Sequence, residues 1–163
     1  MTGTLWSLAL ALAIFIAVHM VPVVPGLRAA MINAWGKRVY RALFSILSLA
    51  GLVWIVFAHK DAPQILLWEG PDWFRLIPLA AMPLVLILLA TMPSDGIKKV
   101  TRHPLLWAIF LWATAHIPTN GDAASLMLFG AFALFALIDQ PLADARTRRE
   151  EPEDWAEKSA TSS

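Results

Sequence analysis

Residues 5–24 read LWSLALALAIFIAVHMVPVV, twenty positions without one Asp, Glu, Lys or Arg. About twenty apolar residues in a helix cross the roughly 30 Å hydrocarbon core of a bilayer, so this stretch predicts a membrane-spanning helix. No Lys or Arg precedes it and no small-residue cleavage pattern closes it, so it reads as a retained anchor rather than a leader. Four more charge-free runs follow, at 43–58, 76–92, 105–118 and 123–138. The expected fold is all-α: a polytopic membrane helix bundle of about five transmembrane helices filling residues 1–142. Residues 143–163 are polar and mixed in charge and read as a disordered cytoplasmic tail.

Composition agrees with this reading. The 163 residues are 58% hydrophobic and only 15% charged, against roughly 45–50% and about 25% in an ordinary soluble domain. Five spans leave no room for a second globular module. The absence of Cys excludes disulfides, thiolate metal sites, cysteine nucleophiles and iron–sulfur clusters. Any metal must be held by His, Asp, Glu or Met.

Charge asymmetry gives the expected orientation. Arg28, Lys37, Arg38 and Arg41 follow the first span, Lys98, Lys99 and Arg102 follow the third, and Arg146, Arg148, Arg149 and Lys158 follow the fifth. The alternate connections carry only Lys60 and Arg75. Positive residues stay on the cytoplasmic side, so the N-terminus is expected outside and the C-terminus cytoplasmic. No nucleic-acid partner is expected, and membrane lipid is.

Local signals set the finer expectations. Asn120-Gly121-Asp122 is a turn signal, with Asp122 placed to cap the following helix, so the fourth and fifth spans should form a tight hairpin. Trp68 and Trp73, among Glu69 and Asp72, fit a segment at headgroup depth. Pro78 and Pro83 should kink the third span. Ser45, Ser48 and Gly51 recur every three residues and predict a close helix contact.

The four histidines are the candidates for chemistry. A His inside a span is expensive unless it faces the protein interior, and His19 alone is flanked on both sides by apolar span residues. His103, in Thr101-Arg102-His103-Pro104, stands at the cytoplasmic entrance of the fourth span. Proline at the first helical position needs no N–H and holds the preceding His in a cap-like conformation. His59, beside Lys60 and Asp61, reads as a solvated interfacial residue. For His116, near Trp112 and Pro118, a structural hydrogen bond and a ligand role are both open. Thirteen residues of helix put His116 about 20 Å from His103, so the pairs that share a depth are His19 with His103 and His59 with His116. Two histidines plus the cations Arg102, Lys98 and Lys99 suit a b-type haem, nitrogens for iron and cations for propionates. The plainer reading of those cations is anchoring to anionic lipid.

Two ordered blocks carry a family resemblance. The first is His19, Pro22, Pro25-Gly26-Leu27-Arg28 and Gly36-Lys37-Arg38-Val39-Tyr40-Arg41-Ala42-Leu43-Phe44-Ser45. The second is Thr101-Arg102-His103-Pro104, Leu106-Trp107, Leu111-Trp112-Ala113-Thr114-Ala115-His116, Asn120-Gly121-Asp122 and Ala124-Ser125-Leu126. Together they span most of residues 10–140, and the sequence resembles the NnrU family. The resemblance implies a role in nitrite and nitric oxide metabolism, that is, denitrification. It also implies kinship with the zeta-carotene isomerases of plants and cyanobacteria, integral membrane enzymes that use haem b to isomerise a cis double bond. Carried onto this chain, it implies haem b held by His19 and His103, with His116 as a substitute, and either nitric oxide or a polyene as the small partner. The departures from the family pattern are Pro118 and Thr119, where apolar residues are expected.

Two other classes compete. Arg-His-Pro at the start of a late span also occurs in membrane methyltransferases similar to the isoprenylcysteine carboxyl methyltransferases, where it helps bind S-adenosylmethionine. Here Glu150-Glu151 is followed by Pro152, and no Tyr occurs after Tyr40, which counts against that class. A noncatalytic assembly factor packed against a respiratory reductase is the third class.

Overall fold

The computed structural model describes residues 3–24, 26–92 and 101–150. Among these the regular secondary structure is helical, apart from one isolated antiparallel bridge between Leu66 and Asp122. It divides into two compact units, Met1–Ile65 and Leu66–Ser163.

In the first unit, α1 (Leu5–Met20) begins where the extended Thr4 turns its hydroxyl to the N–H of Ser7, at 3.2 Å. This satisfies one of the orphan donors of a helix start. The helix stops four residues before the expected end of the span. Pro22 has no N–H to continue the ladder, and the Val21 N–H tightens onto Val18 O instead. The connection expected as a loop contains α2 (Leu27–Trp35), bounded by Gly26 and Gly36 at φ +80° and +83°. Only glycine takes such angles without strain, so these two positions define α2 and separate it from α3 (Lys37–Asp61).

α1 and α3 pack antiparallel. Gly3 lies against Asp61, Phe15 against Gly51, and the His19 ring against Phe44. Leu8, Ala11 and Leu12 are buried on α1, and Gly51, Ile55 and Ala58 on α3. The small-residue stripe is thus half used. Gly51 admits Phe15 and the Ser48 hydroxyl is buried, but Ser45 is exposed, and the seam runs on through Ile55 and Ala58.

The second unit holds a 3-10 turn (Asp72–Arg75), α4 (Leu76–Thr91), α5 (Pro104–His116) and α6 (Ala123–Glu150). Two apolar clusters join the long helices. Val85 and Leu88 of α4 meet Ala108 of α5, with Met82, Leu111 and Trp112 around them. Ala113 of α5 meets Phe129 and Ala133 of α6, and Trp112 touches this cluster too. The α5–α6 hairpin forms as expected: Asp122 Oδ1 accepts the Ser125 N–H at 2.9 Å, and the Asn120 amide donates to His116 O at 2.8 Å. Pro104 occupies the first turn of α5, preceded by His103 at φ −127° and ψ 65°.

The segment around Trp68 is more than an interfacial loop. The N–H groups of Leu67 and Trp68 both donate to Gly121 O, at 2.7 and 3.1 Å, and the Trp68 indole donates to Pro118 O at 3.2 Å. The Thr119 hydroxyl donates to Phe74 O at 3.1 Å. Pro118 and Thr119, which depart from the family pattern, therefore serve as anchor points for the 66–74 segment. Trp73 is exposed, as a headgroup-depth indole should be. Pro78 falls in the first turn of α4, where its missing N–H costs nothing, whereas Pro83 lies inside the helix.

Among the described residues three helical stretches are long and apolar enough to cross a membrane: Lys37–Asp61, Asp72–Thr91 and Ala123–Arg149. Leu5–Met20 and Pro104–His116 are shorter apolar helices. Leu49, Leu79 and Leu86 are 63%, 69% and 59% exposed, large apolar side chains turned away from the protein, where lipid would meet them. α6 continues eight residues past Leu142, the expected end of the membrane domain, and residues 151–163 lie outside the described residues.

Candidate functional site

Within the second unit, the start of α5 and the end of α6 meet in a cluster of three charged or polar side chains. The His103 Nε2 lies 2.7 Å from Asp144 Oδ1, and Arg102 reaches the other carboxylate oxygen, Oδ2, at 3.3 Å. Their side chains are 19%, 26% and 33% exposed for His103, Asp144 and Arg102. A carboxylate can only accept, so a neutral His103 carries its proton on Nε2 and its lone pair on Nδ1. Arg102 and Asp144 cancel one another in charge.

This cluster closes one end of a cavity of about 460 Å³. Three helices line it at one-turn spacing: Leu84 and Leu88 from α4, His103, Trp107 and Leu111 along α5, and Gln140 and Asp144 from α6. Thr101 and Arg102 complete the polar end. Pro141 interrupts the α6 ladder beside Gln140, whose amide N–H donates to Ala136 O at 3.3 Å. That bond leaves the Gln140 carbonyl oxygen as an acceptor.

His19 and His116 are built alike, each in its own unit. Each lies in the last turn of a helix, and each donates its Nδ1–H to the carbonyl four residues earlier: His19 to Phe15 O at 2.8 Å, His116 to Trp112 O at 2.7 Å. This tautomer puts the lone pair on Nε2, the arrangement in which a histidine ligates metal while its other nitrogen is fixed by a carbonyl. Aromatic rings hold both imidazoles. His19 has Phe15 at 4.1 Å and Phe44 at 5.3 Å between ring centres. His116 stacks on Phe129 at 5.0 Å and lies 5.7 Å from Trp112. Near His19, the α3 face that presents Phe44 also carries Tyr40 and Ser48, whose hydroxyl oxygens are buried without a hydrogen-bond partner. Buried polar atoms left unpaired are costly and mark places where a bound group would be stabilised.

The remaining expected residues fall elsewhere. His59 closes α3, where its carbonyl accepts the Ala62 N–H. Arg102, expected to face an anion, is paired with Asp144, and Lys98 and Lys99 lie outside the described residues. Among the described residues no group of three or more His, Asp or Glu is arranged to hold a metal. Asp144 and Gln140 escape sequence reasoning because the polar composition after Leu142 places residue 144 in a tail. Their four-residue spacing beyond the last span is the available signal.

Comparison with known proteins gives one match. Residues 7–163 match the family model described as NnrU protein. No curated protein and no solved structure matches the chain. The match covers nearly the whole chain, including both histidine-bearing helix ends and the Arg102–His103–Pro104 entrance to α5, and the chain belongs to the NnrU family.

Proposed function

We propose that this NnrU-family protein crosses a bacterial inner membrane five times, N-terminus outside, and binds haem b. His19 carries a nitrogen built for iron. The observation that carries the haem reading is the His19 environment: a fixed Nδ1–H, a lone pair on Nε2, aromatic walls from Phe15 and Phe44, and two unpaired buried hydroxyls on the facing helix. His116 repeats the first three of these features. His103, which the sequence pairs with His19, donates its Nε2–H to Asp144 and keeps its lone pair on Nδ1; a role for that nitrogen outside the haem is given below.

Haem b supplies an iron that takes a small ligand such as nitric oxide, in keeping with the nitrogen-oxide setting implied by the family resemblance. The protein's part is to orient the imidazole, keep water away with aromatic rings, and offer the Tyr40 and Ser48 hydroxyls to the polar parts of the bound group. The test is the absorption spectrum of detergent-purified protein expressed with ample haem, oxidised and reduced. The expected result is a b-type Soret band that is lost in His19→Ala and kept in His116→Ala, whose imidazole stands at the other depth. Well-folded wild type without stoichiometric haem would overturn the reading.

A further inference from the structure

The cavity among α4, α5 and α6 has a polar end and an apolar body, and the order of residues along α5 sets that polarity. His103 stands at the polar end, Trp107 one turn further along α5 and Leu111 a turn beyond. Leu84 and Leu88 continue the apolar wall. A volume of about 460 Å³ lies within the roughly 300–1,000 Å³ of small-molecule sites, which pair an apolar lining with a few placed polar groups. We propose that this cavity binds a neutral membrane amphiphile with a hydroxyl head, phenolic or alcoholic, and an apolar tail.

The head is specified by what the polar end offers. Asp144 is neutralised by Arg102 at 3.3 Å, so the described lining has no surplus cation for a phosphate or carboxylate. What remains is a mixed set of acceptors and donors, since the Thr101 hydroxyl and the second Gln140 amide N–H can also donate. The Nδ1 of neutral His103 is one acceptor, because Nε2–H is committed to Asp144. The Gln140 carbonyl oxygen is another, because one amide N–H is committed to Ala136 O. The Thr101 hydroxyl adds a third group able to accept. A hydroxyl, which both donates and accepts, matches this mixed end, whereas a ligand with acceptors alone leaves the His103 and Gln140 acceptors unmet. Trp107 in the lining offers an aromatic neighbour to an aromatic head. Asp144 acts as a positioning residue: it fixes the His103 tautomer that accepts, the task a carboxylate performs behind a histidine base.

Binding is tested without reference to haem, so its failure is separable from failure of the haem reading. The probe is decylhydroquinone under reducing conditions, titrated into the purified full-length protein and followed by quenching of tryptophan fluorescence. Its dimethyl ether, with the same body but no O–H, and decyl phosphate serve as comparisons. The expected result is saturable quenching by the hydroquinone, reduced in Trp107→Phe, with the ether bound about tenfold more weakly, the loss of one net hydrogen bond. Asp144→Asn, which leaves the cavity shape but releases the His103 tautomer, weakens the hydroquinone about tenfold and leaves the ether unchanged. Leu111→Trp fills the cavity and removes saturable binding of both. Equal affinity for hydroquinone and ether, tighter binding of decyl phosphate, or absence of saturable quenching in folded wild type would each overturn the proposal.

Discussion

Alanine in place of glycine should destabilise the protein at position 121 and stabilise it at position 130. A Cβ added to Gly121 would run into the carbonyl oxygen of Trp68, a backbone atom that cannot swing aside. That carbonyl belongs to the residue pair whose N–H groups both donate to Gly121 O, at 2.7 and 3.1 Å. Gly121→Ala must therefore lift residues 67 and 68 off the α5–α6 turn and break both bonds. At about 1 kcal/mol net for each bond, plus loosened packing of the half-buried Trp68, the cost is about 2–3 kcal/mol. A Cβ on Gly130, inside α6, meets nothing within 4 Å. There Ala gains its intrinsic helix preference over Gly, about 1 kcal/mol. The two variants should differ by about 3–4 kcal/mol in stability. Unfolding of each in mild detergent, by titration with a denaturing detergent and followed by helix content, measures the difference. If Gly121→Ala is as stable as wild type, or both variants move the same way, the proposed anchoring of the 66–74 segment is wrong.

Three other outcomes are expected. Gly36→Ala should cost about 1–3 kcal/mol, because a backbone at φ +83° with ψ 152° lies in a region open essentially to glycine alone; the same detergent titration reads it. Asp144→Ala should cost about 1–3 kcal/mol by leaving His103 and Arg102 without their shared acceptor, whereas Arg102→Ala, removing a one-third exposed partner, should cost under about 1 kcal/mol. The chain has no Cys, so single cysteines report topology cleanly: in intact cells a membrane-impermeant thiol reagent should label Lys60→Cys and spare Arg38→Cys, and the reverse pattern would invert the proposed orientation.

Much of the fold is legible in the sequence because its signals are local. Charge-free runs locate the helices, Pro104 marks the start of α5, and Asn120-Gly121-Asp122 marks the hairpin and its cap, all within a few residues of sequence. His19 stands out for a local reason too, a lone imidazole in apolar surroundings. Other features escape because their evidence is distant or cancels along the chain. α2 carries no buried residue, and its bounds rest on two glycines that in sequence read as parts of a loop. The polar stretch after Leu142 reads as a tail because composition does not reveal that α6 has a partner at its far end.

The sequence by itself determined that this is a helical membrane protein with its cations segregated to alternate connections, since a bilayer imposes length and apolarity on each segment independently of the others. Only tertiary structure decided what each histidine does. The Nδ1 of His19 and of His116 is claimed by a carbonyl on its own helix, while His103 is claimed by Asp144, a residue 41 positions away. Imidazole chemistry is the same in all three, and it is the neighbour brought within hydrogen-bonding distance that fixes which nitrogen keeps its lone pair.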